Sequence, residues 1–312
     1  MAGGVGEPIE AIPMEKEVKL VKKVKRLLRK AGLPRWLHRF GPKKYEFWHH
    51  ALALLVKQEC RLSYRRVSRL LSTLGFKVPT YSALAKMAKR LPSWLWQRLL
   101  AATVQPAVLA AVDGTGLSRT SPSHYYLKRI DKLYPVKRFA KLSILADTRR
   151  KKVLALRFRA KPAHDIRDVK ALLKLAPNVG KLVGDKAYDA EWLHELAFKL
   201  GITTVIPVRK GAFRGFYRHK MQSRFNKRTY NRRSIVESVF SALKRKFGSS
   251  VSCRSARTQR AEVYCRAIMH NITAAIKEIF NYACCICLVF IRSSAYLRTV
   301  SLKLLARATA IA

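Results

Sequence analysis

Acidic side chains are scarce in this chain. Its 312 residues carry 18 Asp and Glu against 64 Lys and Arg, a formal net charge of +46. Between Glu59 and Asp131 the single carboxylate is Asp113, and between Glu195 and Glu262 it is Glu237. A surface that holds a polyanion loses its acids, because each repels the ligand. An acid retained there needs a reason. It can help hold a divalent metal against a phosphate backbone, or form an ordinary salt bridge with its basic neighbours.

Cysteine is also sparse. Cys60, Cys253, Cys265, Cys284, Cys285 and Cys287 show no Cys/His spacing of a zinc site. Reduced thiols and a cytoplasmic, nucleoid-associated protein are expected. Long apolar runs are missing: Ala283 to Ile291 is about half the length a membrane span needs. Met1 to Ile12 lacks a signal-peptide pattern. No membrane partner is expected.

The charge that is present predicts salt-sensitive binding to nucleic acid through counterion release. It spreads from Lys16 to Arg307, so it is not one tail. With 49% hydrophobic and 10% aromatic residues, disorder is excluded as its cause.

Glu15 to Lys30 reads as a basic helix with Val18, Val21, Val24 and Leu28 on one side, broken off by Pro34 and Gly41-Pro42. Tyr45 to Leu74 reads as mostly helical, with Gly75 as its C-terminal cap. A second helix, Ser82 to Arg90, follows Pro79-Thr80-Tyr81 and carries Lys86, Lys89 and Arg90. Helix, glycine turn and basic helix form a helix-turn-helix pattern over Ser63 to Pro92, and these three cations are candidate DNA contacts.

Texture changes at Pro106. Ala107 to Val112 is an apolar strand ending at Asp113. Phe139 to Asp147 and Val153 to Arg159 are two more strands, joined by a polar turn. Asp165 opens a helix to Leu175, with Asp168 favouring its N-terminus. Lys181 to Asp185 is a fourth strand, Glu191 to Leu200 a helix stopped by Gly201, and Thr203 to Val208 a fifth strand. A basic loop, Arg209 to Thr229, precedes a helix from Tyr230 to Phe247 with Ile235, Val239, Ala242 and Leu243 inward. A last helix spans about Thr258 to Tyr282.

Three strands followed by alternating helix and strand is the order of a ribonuclease-H-like α/β domain, a mixed sheet flanked by helices. In that fold the first and fourth strands are neighbours, so acids closing them, Asp113 and Asp185, face each other. Glu237, on the following long helix, can complete a set of three. Three carboxylates can hold two divalent cations for in-line phosphoryl transfer.

These residues resemble the DDE transposases of prokaryotic insertion sequences, in the group with a Tyr-x2-Arg-x3-Glu-x6-Lys signature. Here it reads Tyr230, Arg233, Glu237 and Lys244. Asp113-Gly114-Thr115-Gly116 is similar to the family's Asp-Ser-Thr-Gly stretch, with Gly114 for Ser, and Asp185-Lys186-Ala187-Tyr188-Asp189 is similar to its second acid stretch. The resemblance covers about Val104 to Gly248. It implies catalysis and metal binding by Asp113, Asp185 and Glu237, using two Mg²⁺ with Mn²⁺ as substitute. At their spacing Tyr230, Arg233, Glu237 and Lys244 lie along one helical face, so Arg233 and Lys244 flank Glu237 and can hold the phosphates beside the one being cut. The resemblance implies this role for Lys244 and a positioning role for Tyr230 and Arg233. Arg232 is a further candidate DNA contact. Implied partners are double-stranded DNA, both terminal inverted repeats and target, and a second copy in a homodimeric synaptic complex. A decayed DNA-binding protein or a structure-specific nuclease of the same fold are the rival readings. Arg233 and Glu237 also read as a simple i,i+4 pair.

Other residues have plainer expectations. Asp189 and the His164-Asp165 pair read as helix caps, and Asp147 as a turn residue. Trp48, Trp94, Trp96 and Trp192 read as core, and Phe213, Phe216 and Tyr217 as base-stacking candidates. The expected organisation is a basic arm (1–42), a helical DNA-binding region (43–103), a catalytic domain (104–282) and an apolar-basic tail (283–312).

Overall fold

The computed structural model describes residues 15–37, 43–119, 139–176, 178–212 and 214–275. The side chain of Val18, residue Phe213, the Met1 to Ile12 terminus, Gly41-Pro42 and everything from 276 onward, Cys284, Cys285 and Cys287 included, lie outside the described residues.

The helical region opens with α1 (Glu15–Lys30), α2 (Phe47–Glu59), α3 (Tyr64–Thr73), α4 (Tyr81–Arg90) and α5 (Ser93–Ala101). The expected Tyr45 to Leu74 helix is two helices. The chain breaks at Arg61, whose φ of 51° no helix continues through, and Ser63 caps α3 by accepting from the Arg66 N–H. Gly75 ends α3 as expected: its φ is +78°, and the Phe76 N–H reaches back to the Leu71 carbonyl. Thr80 caps α4 through the Ala83 N–H. Ala53, Val67, Leu71 and Leu84 form the small core that holds α2, α3 and α4 together.

The sheet contains β1 (Ala107–Arg119), β2 (Phe139–Asp147), β3 (Val153–Arg159), β4 (Val179–Val183) and β5 (Thr203–Val205) in the order β3-β2-β1-β4-β5, with β6 (Ser250–Val251) on the far end of β1. β2 runs antiparallel to β1 and β3; β4 and β5 run parallel to β1. This mixed order is that of the ribonuclease-H-like fold. Crossovers run through α6 (Ile166–Leu175) and α7 (Glu191–Lys199), and α10 (Ser234–Phe247) packs across β1 and β2. α10 buries Val236, Val239, Phe240, Leu243 and Phe247, a stripe at helical spacing. Ile235 and Ala242, expected inward, are half-buried at its flanks.

A final helix, α11, runs from 256 through 275. Its Asn271 side chain is fully buried and satisfied: Oδ1 accepts from the Val153 N–H, and Nδ2 donates to the Val153 carbonyl and Thr103 Oγ1, each at 2.8 Å. Tyr264 adds a hydrogen bond to the Leu156 carbonyl. These bonds cover the outer edge of β3, which would otherwise be free to pair. One core cluster joins α1, α2 and α5 to β2, α10 and α11, so the helical region and the sheet share buried apolar surface.

Several expected boundaries move. β1 continues six residues past Asp113, because Ala110 through Ser118 pair with β2 despite the two glycines. Asp113 is therefore mid-strand, not at a strand end. β4 stops at Val183, so Asp185 lies two residues beyond it, and β5 is only three residues long. The expected loop from 209 to 229 holds two short helices, α8 (Phe216–Gln222) and α9 (Lys227–Asn231). The expected Tyr230 to Phe247 helix is interrupted by a turn at Arg232-Arg233, so Tyr230 belongs to α9. Trp96 is core, but Trp94 and Trp192 are exposed and Trp48 is half-buried.

Candidate active site

β1 and β4 lie side by side in register, with Ala111 opposite Val183. Asp113 and Asp185 are each two residues further on. Equal offsets from a paired position bring both acids to one end of β4, although Asp113 is still in a strand and Asp185 is not. The Asp113 carboxylate accepts from the Gly114 N–H at 2.8 Å; Asp185 accepts from the Lys186 N–H at 2.7 Å, opening a 3₁₀ turn, Lys186–Tyr188. Asp113 is half-buried and Asp185 exposed.

Arg233 connects this sheet end to α10. Its guanidinium lies 3.0 Å from Glu237 and 4.0 Å from Asp113. Burial disfavours its charge, but Glu237, Asp185, Tyr230 and Asp113 together hold its pKa above the ordinary arginine value. So the i,i+4 pair expected of Arg233 and Glu237 exists, and it is extended to a second acid. Burial pushes the Asp113 carboxyl above the usual carboxylate range. Asp165 and Glu237 add to this, while the Gly114 N–H and Arg233 oppose it. Among the described residues, no three His, Cys, Asp or Glu side chains converge tightly enough to hold an ion as they stand. Arg233 is the cation between them.

Lys244, two turns past Glu237, donates to Thr115 Oγ1 at 2.7 Å. It thereby reaches β1 two residues beyond Asp113. Tyr230, on α9, packs against Phe225 in the link just before that helix, with ring centroids 5.8 Å apart. Arg232 is exposed on the turn. Lys86, Lys89 and Arg90 are exposed on α4, which packs with α2 and α3 rather than on the acids. Phe216 is exposed, as a stacking residue would be, whereas Tyr217 packs on Phe198 at 5.4 Å.

Two acids expected to cap helices, Asp165 and Asp189, do something else, and Asp168, in the first turn of α6 as expected, also pairs with other elements. Asp165 makes no cap; its carboxylate pairs with Lys141, whose ammonium also donates to the Ala163 carbonyl. Asp168 is fully buried, accepts from Ser143 Oγ at 2.9 Å and pairs with Arg159 at 2.7 Å. Asp189, its side chain fully buried, accepts from the Arg209 N–H, Arg218 Nε and His194 Nε2. Glu191 accepts from the N–H groups of Tyr217 and Arg218, at the start of α8. These two acids organise the segment that composition alone reads as loop. Asp147 does bind the turn N–H groups of Arg149 and Arg150, as expected.

Gly114 has a local reason to be glycine. A Cβ there would overlap the Asp165 carboxylate. Gly114→Ser should push Asp165 off Lys141 and cost about 1–2 kcal/mol, read as a lower melting temperature. Combined with Asp165→Ala, the substitution should add almost nothing to the cost of Asp165→Ala alone. Additive losses would contradict this cause.

The Asp189 network also sets a pH response. Burial works against ionisation of Asp189, but its three donors outweigh it and hold the pKa below the usual value. Burial lowers the His194 pKa, against the pull of Asp189. The neutral ring donates from Nε2 to Asp189, and its Nδ1 accepts from Thr204 Oγ1 at 2.7 Å. A histidine with a depressed folded pKa stabilises fully above about 6.5, and that contribution is lost as pH falls through the folded value. His49, also lowered chiefly by burial, acts in the same direction. Melting temperature should therefore fall between pH 7 and 5, and fall less in His194→Gln. Equal slopes would contradict the account.

A family model described as "Transposase DDE domain" matches residues 105–272, more than half of the chain. The chain belongs to the DDE transposase family. The matched span of this DDE transposase begins before β1 and reaches into α11, so it takes in the whole sheet and the Asp113–Arg233–Glu237 contact. Comparison with curated proteins gives no match. Among solved structures, the chain is similar to the piggyBac transposase synaptic complex with hairpin DNA, at 12% identity, covering 82% of this chain and 73% of that one, with a TM-score of 0.37. It is also similar to the Mos1 strand transfer complex, at 13% identity over 85% and 86% of the two chains with a TM-score of 0.23. The pre-cleavage Mos1 transpososome matches at 11% over 86% and 88%, with a TM-score of 0.22. At such distances the fold rests on the strand order above. No helix among the described residues is long and apolar enough to cross a membrane.

Proposed function

We propose that this member of the DDE transposase family cuts DNA at the ends of an insertion sequence and joins the freed ends to target DNA. The observation that carries the proposal is the meeting of Asp113, mid-strand in β1, with Glu237 of α10 across Arg233, with Asp185 two residues beyond the paired Val183. Three carboxylates around one arginine carry excess negative charge, and oxygen donors of this kind fit a hard divalent cation. Asp113, Asp185 and Glu237 would hold Mg²⁺, two ions per site, or Mn²⁺ in its place. When bound, the ions supply charge stabilisation at the attacking and leaving oxygens of an in-line displacement.

The remaining steps belong to the chain. A water oxygen bonds to phosphorus and the 3′ oxygen leaves as a hydroxyl. That hydroxyl then bonds to a target phosphorus, and a target 3′ oxygen leaves. No covalent protein intermediate is involved. Lys244, held to β1 by Thr115, and Arg233, released from the acids, would grip the phosphates beside the one being cut, with Tyr230 positioning. Arg232 would add a backbone contact.

The helical region (43–103) would bind the terminal repeats through Lys86, Lys89 and Arg90, after a basic arm (1–42), with 104–282 as the catalytic domain. The helix-turn-helix-like order of α3 and α4 supports this. A homodimer would pair two ends. The signature spacing, Tyr230 to Lys244, supports placement among insertion-sequence enzymes.

The test follows the fate of a cleaved strand. Labelled duplex carrying the element's flanking repeats is incubated with Mg²⁺ and a supercoiled plasmid. Label joined to plasmid is the expected result; nicked duplex with no joining would make the protein a nuclease of the same fold.

A further inference from the structure

Where α2 and α3 meet the C-terminal end of α10, β6 and the start of α11, a cleft of about 520 Å³ opens. It is separate from the acids. Lys57, Arg61, Arg254 and Arg266 line it, and none of its lining residues is acidic.

Two of these cations are already committed. Arg61 donates to the carbonyls of Arg245 and Lys246 at 2.6 and 2.7 Å, closing the C-terminus of α10. Arg266 binds Glu262 and the carbonyls of Gly248 and Ser250. Arg254 is exposed, and no carboxylate pairs with it among the described residues. Lys57 is the unusual one. It is 7% exposed, and its described partner is the Tyr64 ring, 4.8 Å from the ammonium. Nearby acids are engaged elsewhere. Glu59 pairs with Lys246 at 2.7 Å, and Glu262 is held by Arg266 and the N–H groups of Ser252 and Cys253. Burial pushes the Cys253 thiol up to about 11, so it supplies no negative charge.

Lys57 is more than nine-tenths buried as a residue and meets no carboxylate among the described residues, and a roomy polar cleft beside it can admit an anion. Ser63, Tyr64, Ser252 and Thr258 add hydroxyls on the walls. The position is also informative. Phe247, in the wall, is ten residues along α10 from Glu237, about 15 Å at the helical rise. That equals the rise of about four to five base pairs.

We propose that this cleft binds one backbone phosphate of the DNA engaged by the acids, with Lys57 and Arg254 as its cations. This rests on the DNA reading above and adds a contact at the seam between the helical region and the sheet. The same oxyanion chemistry could serve free phosphate, so the test has two arms.

Duplex affinity of the full-length protein is measured across a salt series for wild type, Lys57→Met and Arg254→Ala. Met keeps the length and apolar stem over Tyr64, while Arg254→Ala alters an exposed side chain and guards against a folding defect in the first variant. Each should weaken binding and flatten the slope of log affinity against log salt by about one. Wild-type affinity and slope in folded Lys57→Met overturn the proposal; if that variant does not fold, the same result in Arg254→Ala does. In the second arm, N-ethylmaleimide labelling of Cys253, which lines the cleft, is followed by peptide mass. Slowing by duplex, and not by inorganic phosphate at equal phosphate concentration, is expected. Slowing by inorganic phosphate alone would assign the cleft to a free anion and overturn the DNA contact. Loss of joining in acid variants does not bear on this site, and the Lys57 result does not bear on the acids.

Discussion

Asp113→Asn should abolish Mg²⁺-dependent cleavage of end DNA while DNA binding holds or tightens. The loss expected is on the order of 10³-fold or more, the scale of removing one charge-stabilising group in phosphoryl transfer. The two effects diverge for one reason. Asn keeps the shape of the side chain and can still accept the Gly114 N–H, but it removes a negative charge from the surface proposed to meet phosphates. Asp113 is also the acid held closest to the core of the site, with its side chain 23% exposed against 55% for Glu237. Burial resists its ionisation, with Asp165 and Glu237 adding to this against the Gly114 N–H and Arg233, so a bound cation would favour its charged form. Single-turnover cleavage and a separate binding titration give both readouts. Parallel loss of binding and cleavage would contradict a metal-holding role.

Asp189→Ala should destabilise the protein by about 3–5 kcal/mol, the usual cost of stripping one partner from a buried ion pair. The melting temperature should drop by roughly 10 °C. Asp189 is fully buried, and its removal leaves Arg218, 12% exposed, and His194, 2% exposed, without their acceptor. The Arg209 N–H loses its partner as well. The same carboxylate ties the turn after Asp185 to α8, so the basic segment should become open to protease before the rest of the chain unfolds. A melting temperature within a degree or two of wild type would show that the pair is dispensable.

Much of this structure was legible from residue pattern. β2 and β3 fall at Phe139–Asp147 and Val153–Arg159 because apolar runs are bounded there by a polar turn. The C-terminus of α3 was legible because only glycine suits the positive φ at 75. The spacing of Tyr230, Arg233, Glu237 and Lys244 puts all four on one helical face, and this holds only in part: α10 carries Glu237 and Lys244, Arg233 lies just before it, and Tyr230 belongs to α9.

What was not legible depends on partners far away in sequence. Gly114-Thr115-Gly116 has turn composition, yet β2 holds it as strand through nine paired positions. Asp165 and Asp189 precede helices, where capping is the local expectation, and Asp168 sits in the first turn of α6, where an acid suits the helix N-terminus. Their actual partners, Lys141, Arg159 and Arg218, lie on other elements. The 209–229 segment looked like loop because its order comes from Asp189 and Glu191 rather than from its own propensity. Thr115, which anchors Lys244, was hidden for the same reason.

The measurement that tests the central claim most directly is Mg²⁺-dependent joining of end DNA by wild type, Glu237→Gln and Glu195→Gln. Glu195 is a surface acid paired with Lys199 in α7, so it controls for loss of any one negative charge. Joined products from wild type and Glu195→Gln, and none from Glu237→Gln with DNA binding retained, is the predicted result. Joining that survives in Glu237→Gln would contradict the assignment of the acids.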